Sequence, residues 1–247
     1  MVFAGGDRVN PLLVVCNESG IKHTGGMDMS SKHIREQLCE YAKKIVQQHL
    51  VVGPGGNISA THDGKMYLSP SGMALDEIRE EQWVEVDIAT GKITDNGLRP
   101  SSEVLMHLYI YRENPEVKAV VHTHPPYCIA LTLVADQLPV MFPDQAALTG
   151  KTAFVPYVVP TTDRLANAVK AHAREASTIL LVNHGLVTTG RNLREAYYRT
   201  EIVEESAKIW LIARSIREPK VLTEEEFQEI ASLESEAYRV KLLQQMQ

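Results

Sequence analysis

The pair His122-Thr123-His124 stands at the end of an apolar, β-branched run, Ala119 to Thr123. Side chains alternate faces along a strand, so residues two apart point the same way, about 7 Å apart. Two imidazoles so placed can converge on one cation, although a lone His-x-His pair is more often incidental. His184 changes that balance: it lies in Val182-Asn183-His184-Gly185, again where an apolar strand ends and a turn must follow. Histidines at two strand ends are what the crevice of an open α/β sheet can offer to one ion. Three such ligands with one position left open describe a catalytic zinc site rather than a closed structural one. The plainer reading of His184 is a strand end capped by a backbone hydrogen bond. The remaining histidines are weaker candidates. His33, His49, His107 and His172 fall on expected helices, His62 falls in a turn and His23 near the N-terminus.

Glu103 is the carboxylate best placed for proton transfer. It follows Ser101 and Ser102 in the first turn of an expected helix, where backbone N–H groups and the helix dipole favour negative charge. Most glutamates so placed only stabilise the helix start, and a catalytic role needs a nearby ion. Two polar turns, Gly55-Gly56-Asn57-Ile58-Ser59 and Ser69-Pro70-Ser71-Gly72, could cradle an anion through glycine N–H groups and Asn or Ser donors. Most such sequences are merely turns. No Walker A motif, no GxGxxG opening a βαβ unit and no GxSxG elbow is present. No cysteine has a neighbouring His or Lys that would activate it.

Positioning these groups requires alternating strands and helices. Helical spacing runs from Ser30 or Ser31 to about Leu50, from Pro100 through Tyr109, from about Thr162 to Ala173 and from Leu193 to about Ile216. Pro125 opens a further helix, and Thr223 to Glu226 fits a capping box before a final one. Strands are expected at 66–69, 83–88, 119–123, 154–159 and 178–182, with a hairpin turn at Ala89-Thr90-Gly91-Lys92. Residues 1–29 lack pattern and read as a flexible leader; 30–247 read as a single α/β domain, helices on both faces of a mixed sheet. At 247 residues, 44% hydrophobic and 23% charged, the chain is of ordinary globular composition. Its 25 Lys+Arg against 31 Asp+Glu give a net charge of −6, with no basic cluster, which argues against a nucleic-acid partner. The longest apolar stretch, Cys128 to Ala135, is far short of the roughly 20 residues of a spanning helix, so no membrane partner is expected. Scattered Cys16, Cys39 and Cys128 fit a reducing, cytoplasmic compartment.

In order along the chain, Gly56-Asn57-Ile58-Ser59, Ser69-Pro70-Ser71-Gly72, Pro100-Ser101-Ser102-Glu103, His122-Thr123-His124-Pro125 and Asn183-His184-Gly185 resemble the class II aldolase/adducin family. The resemblance runs from about residue 30 to about 216 and is greatest to the family's L-fuculose-1-phosphate aldolases, then to its L-ribulose-5-phosphate 4-epimerases. It implies an αβα fold around a mainly antiparallel sheet and a homotetramer with active sites between subunits. It makes His122, His124 and His184 ligands of Zn2+, with Mn2+ or Co2+ as alternatives, and Glu103 the catalytic acid/base. Asn57, Ser71, Gly72, Ser101 and Ser102 match phosphate-binding positions. The implied reaction is metal-dependent retro-aldol cleavage of a phosphorylated ketose to dihydroxyacetone phosphate and a short aldehyde. An epimerase, a sugar-phosphate dehydratase or a decarboxylase would use the same groups. An adducin-like assembly protein would not need the three histidines, which this chain keeps. The sequence departs from the aldolase pattern at Phe142-Pro143-Asp144, where a tyrosine is expected; Tyr238 is a candidate for a C-terminal aromatic donor.

Overall fold

The computed structural model describes residues 29–94, 96–149 and 152–245, so the leader expected at 1–29 lies outside the described residues except for Met29. The strands are β1 (Asn57–His62), β2 (Lys65–Leu68), β3 (Val84–Asp87), β4 (Ala119–Thr123), β5 (Thr152–Val155), β6 (Thr178–Leu181) and β7 (Gly185–Gly190). They form one sheet in the order β3-β2-β1-β4-β7-β6-β5. Every pairing is antiparallel except β5 with β6, so the sheet is mixed and mainly antiparallel, as expected. The α-helices are α1 (Met29–Gln47), α2 (Val104–Glu113), α3 (Pro126–Thr132), α4 (Pro143–Leu148), α5 (Asp163–Lys170), α6 (Leu193–Ile216), α7 (Glu224–Ala231) and α8 (Glu234–Gln245).

Alternation along the strands builds a core on each face. Val120, Ile179, Leu181 and Val187 point to the side covered by α2 and α5, where Met106, Ile110, Leu165 and Val169 meet them. Ile58, Ala60, Tyr67 and Val121 point the other way, against Leu38 and Ile45 of α1 and Leu193 and Ala196 of α6. On that same face Leu180 and Leu186 pack with Cys128 and Leu131 of α3 and Val203 and Trp210 of α6. Each such fully buried aliphatic side chain contributes roughly 1.5–3 kcal/mol against leaving it in water.

Besides α4, which was not expected, and β5, which spans Thr152–Val155 where a strand was expected at 154–159, three elements differ from the sequence reading. Asn57 to Ser59, read as part of a polar turn, opens β1 in the middle of the sheet. Its polar face, Asn57 and Ser59, is buried against polar side chains of α2, so hydrophobic periodicity could not reveal it. β7 was not foreseen because five of its six residues are Gly, Thr or Val and all six are buried, which erases alternation. The final helix is two, with Thr223 capping α7 through the expected box and a break at Ser232–Leu233 before α8.

Candidate active site

β1 begins, β4 ends and β7 begins at one end of the sheet, because β4 lies between antiparallel β1 and β7. Asn57 is the register partner of His122, and Thr123 of Leu186. The three-residue connection from β6 to β7 carries Asn183 at φ 58°, a left-handed conformation that Asn tolerates well, and His184 N donates to Leu181 O across the turn. His184 is thereby turned back beside the end of β4. Gly185 is required there: a Cβ would meet the Thr123 carbonyl oxygen and come within 2.9 Å of the His124 ring. Gly56, at φ 72°, is also closely approached: a Cβ there would come within 2.6 Å of the Val51 side chain and 2.9 Å of the His122 carbonyl oxygen.

The three histidines therefore converge, as expected. An imidazole nitrogen from each lies within 4.8 Å of the others, and no other such ligand group occurs among the described residues. Nε2 of His122 and Nε2 of His124 are 3.1 Å apart. His122 is fully buried, and its Nδ1 faces the Leu186 carbonyl oxygen at 3.0 Å. A carbonyl can only accept, so Nδ1 carries a hydrogen and Nε2 is the nitrogen turned to the site, the arrangement that orients ligating histidines. Burial, followed by the neighbouring His122, pushes both His124 and His184 down to about 4, so both are neutral and able to ligate at pH 7. Two buried polar atoms at the cluster lack a hydrogen-bond partner, His184 Nδ1 and Glu103 Oε1. Neutral imidazoles, a fixed tautomer and unpartnered atoms fit a bound divalent cation.

Glu103 sits at the N-cap of α2 without capping it, because its carboxylate is turned to the histidines. Oε2 lies 3.1 Å from His122 Nε2, and Oε1 3.7 Å from His184 Nε2. Burial raises its pKa, but the charge and hydrogen bond of His122 and the hydrogen bond from Asn57 outweigh that and hold the carboxyl well below the usual range. A helix-start role alone does not account for such a placement.

The serine turns come together as well. Ser71 N donates to Arg99 O and Ser101 N donates to Ser69 O, stitching the segment after β2 to the segment before α2. Ser71, Gly72 and Ser102 are exposed on this seam, and Ser101 Oγ accepts from Glu103 N. Asn57, expected as a phosphate donor, also holds the catalytic-site carboxylate. Its Nδ2 donates one hydrogen to Glu103 Oε2 at 2.9 Å, and its Oδ1 accepts from His107 Nε2 at 2.6 Å, leaving the second Nδ2 hydrogen to another acceptor. His107 was passed over as an ordinary helical histidine. The signal for it was the polar stripe Glu103, His107, Tyr111, spaced by four along an otherwise apolar helix. Asp144 lies on α4 and pairs with Arg239 of α8 at 3.0 Å, and Tyr238 is exposed on α8.

The profile of the class II aldolase and adducin N-terminal domain family matches residues 36–211. The chain belongs to this family. Among curated relatives, the L-fuculose phosphate aldolase of Methanococcus vannielii is 42% identical over 165 residues, 67% of this chain and 88% of that protein. The 5-deoxy-D-ribulose 1-phosphate aldolase of Bacillus thuringiensis is 34% identical over 80% of this chain and 93% of its own length. The 3-oxo-tetronate 4-phosphate decarboxylase of Pectobacterium atrosepticum is 33% identical over 82% and 94%. A solved L-fuculose 1-phosphate aldolase superposes with a TM-score of 0.77 at 33% identity, covering 83% of this chain and 98% of that one. This class II aldolase is an enzyme, a lyase, and among the described residues no helix is long and apolar enough to cross a membrane.

Proposed function

We propose that this class II aldolase cleaves a phosphorylated ketose of the L-fuculose 1-phosphate kind to dihydroxyacetone phosphate and a short aldehyde. The observation that carries the reading is the Glu103 carboxylate held against His122 and His184 of a three-imidazole cluster whose nitrogens lie within 4.8 Å of one another. A divalent ion on His122, His124 and His184, zinc in this reading with manganese or cobalt as alternatives, supplies a Lewis acid for the oxygens where enediolate charge collects. When the C3–C4 bond breaks, its electron pair stays on C3 and the C4 hydroxyl passes its proton to the ionised Glu103 carboxylate as the aldehyde forms. Glu103 returns a proton to C3 in cleavage and removes it in synthesis. Asn57, Ser71, Gly72, Ser101 and Ser102, beside the N-terminus of α2, hold the phosphate and so fix the reacting carbons.

A second reading draws support from the decarboxylase relative. Loss of carbon dioxide from a 3-oxo-tetronate 4-phosphate leaves the same enediolate of dihydroxyacetone phosphate, protonated at the same carbon. The two readings share everything except the leaving group. The enzyme is further proposed to be a cytoplasmic homotetramer with sites at subunit contacts. Supporting this, α3 directly follows the histidine strand, and Tyr127 on it and Leu133 and Val134 just after it are exposed, an apolar surface that a neighbouring subunit would cover.

The test is a substrate panel on the metal-loaded enzyme. Release of dihydroxyacetone phosphate from L-fuculose 1-phosphate is the expected result. Turnover confined to 3-oxo-tetronate 4-phosphate would move the assignment to the decarboxylase, and conversion of L-ribulose 5-phosphate to its epimer without cleavage would move it to the epimerase. Equal efficiency on unphosphorylated ketoses would remove the phosphate anchor.

A further inference from the structure

We propose that His107 is a positioning residue for Glu103, acting through Asn57 at the head of a buried chain of donors that starts at Tyr111 and Ser59. The proposal rests on Glu103 being the acid/base of the reaction. Glu103, His107 and Tyr111 recur every four residues on one side of α2, about 6 Å apart along a helix axis. Asn57 and Ser59 recur every two on the facing side of β1, about 6.7 Å apart along a strand. The two spacings nearly match, so the five side chains interleave in the order Tyr111, Ser59, His107, Asn57, Glu103. The contacts along the chain are 2.8, 2.7, 2.6 and 2.9 Å.

Hydrogen-bond chemistry sets the direction of the whole chain. An ionised carboxylate only accepts, so Asn57 must present Nδ2 to Glu103 and therefore Oδ1 to His107. Oδ1 only accepts, so His107 must carry its hydrogen on Nε2. The Nδ1 of that neutral ring then accepts from the Ser59 hydroxyl, and the single Tyr111 hydroxyl hydrogen is shared between the Ser59 hydroxyl and the Ser59 carbonyl oxygen at 3.1 Å. From Ser59 onward every donor points towards Glu103. Burial pushes His107 down to about 3, consistent with a ring that stays neutral. With both ring nitrogens engaged, His107 is not a fourth ligand.

The consequence falls on the two oxygens of Glu103. The chain pins Oε2, while Oε1 keeps no hydrogen bond and faces His184. A carboxylate anchored by one oxygen cannot exchange the two by rotation, and the free oxygen is presented to the reacting carbon in one orientation. Losing such an orientation by about 1 Å can cost 10²-fold in rate. Without His107, Asn57 is free to turn its amide and release Oε2.

Two substitutions and one spectrum test this. His107→Leu removes the donor, whereas His107→Gln can place an amide N–H near the Nε2 position. With metal content unchanged in both, His107→Leu should lower kcat about 10- to 10²-fold with KM within about twofold, and His107→Gln should recover most of the loss. A folded, metal-loaded His107→Leu enzyme with wild-type kcat, or equal impairment of the two variants, would overturn the proposal. Solid-state 15N spectra of the histidine-labelled wild type, with His107→Gln supplying the assignment, read the tautomer without any substrate. A hydrogen on Nε2 alone supports the chain, and one on Nδ1 refutes it. If the wild type turns over no phosphorylated sugar, the functional reading fails while the spectrum still decides the chain.

Discussion

Replacing His184 with alanine removes one of three imidazoles held within 4.8 Å, and the remaining two, His122 and His124, sit on one strand end with a gap opposite. The metal bound per subunit should fall from one to near zero under dialysis, measured by elemental analysis. Full stoichiometry in His184→Ala would refute the ligand assignment. Glu103→Gln makes the opposite separation. The amide keeps the shape and can still meet Asn57, but it cannot exchange a proton, and loss of general acid/base catalysis typically costs about 10²–10⁴ in rate. Metal content and melting temperature should hold while single-turnover rate collapses. A helix-start role alone would give the reverse pattern, a small loss of stability with turnover intact.

The β6–β7 hairpin is the element on which the site depends, since it alone brings His184 to the end of β4. Gly185→Ala pushes a methyl group into the Thr123 carbonyl oxygen and the His124 ring. Overpacking of this kind typically costs about 1–3 kcal/mol, and here the strain also separates β7 from β4 at the histidines. Denaturant unfolding should show the stability loss and dialysis a weakened metal site; an unchanged midpoint and metal affinity would contradict the close approach. The histidines and Glu103 were legible in the sequence because strand ends and a helix start carry local signals. The elements between them were less so. β1 hides its strand period because its inward face, Asn57 and Ser59, is polar and satisfied by α2. The hydrogen bonds of Asn57 are hidden in the sequence for the same reason: its partners, His107 and Glu103, lie 50 and 46 residues away. Only the pairing of β1 with α2 discloses them.

Across the whole molecule, buried neutral histidines make stability depend on pH. His107 is pushed from 6.5 to about 3 by burial first and the nearby His122 second, so the folded chain excludes a proton that the unfolded chain accepts. Its contribution is fully present above about pH 6.5 and is lost as pH falls towards 3, at about 1.4 kcal/mol per pH unit for one proton. In the metal-free chain His124 and His184, pushed to about 4, add to the same slope. Denaturant melts of metal-free enzyme between pH 7 and pH 5 should show this fall, shallower in His107→Gln; a flat profile would contradict the buried neutral assignment. The account as a whole turns on Glu103 moving a proton next to a carbonyl at the three-histidine centre. The most direct measurement is hydrogen exchange of dihydroxyacetone phosphate in deuterated water, followed by NMR, which needs no knowledge of the leaving group. Metal-loaded wild-type enzyme should exchange one of the two hydrogens of the hydroxymethyl carbon, and neither chelator-treated enzyme nor Glu103→Gln should exchange any. No exchange by the wild type, or undiminished exchange by Glu103→Gln, would contradict it.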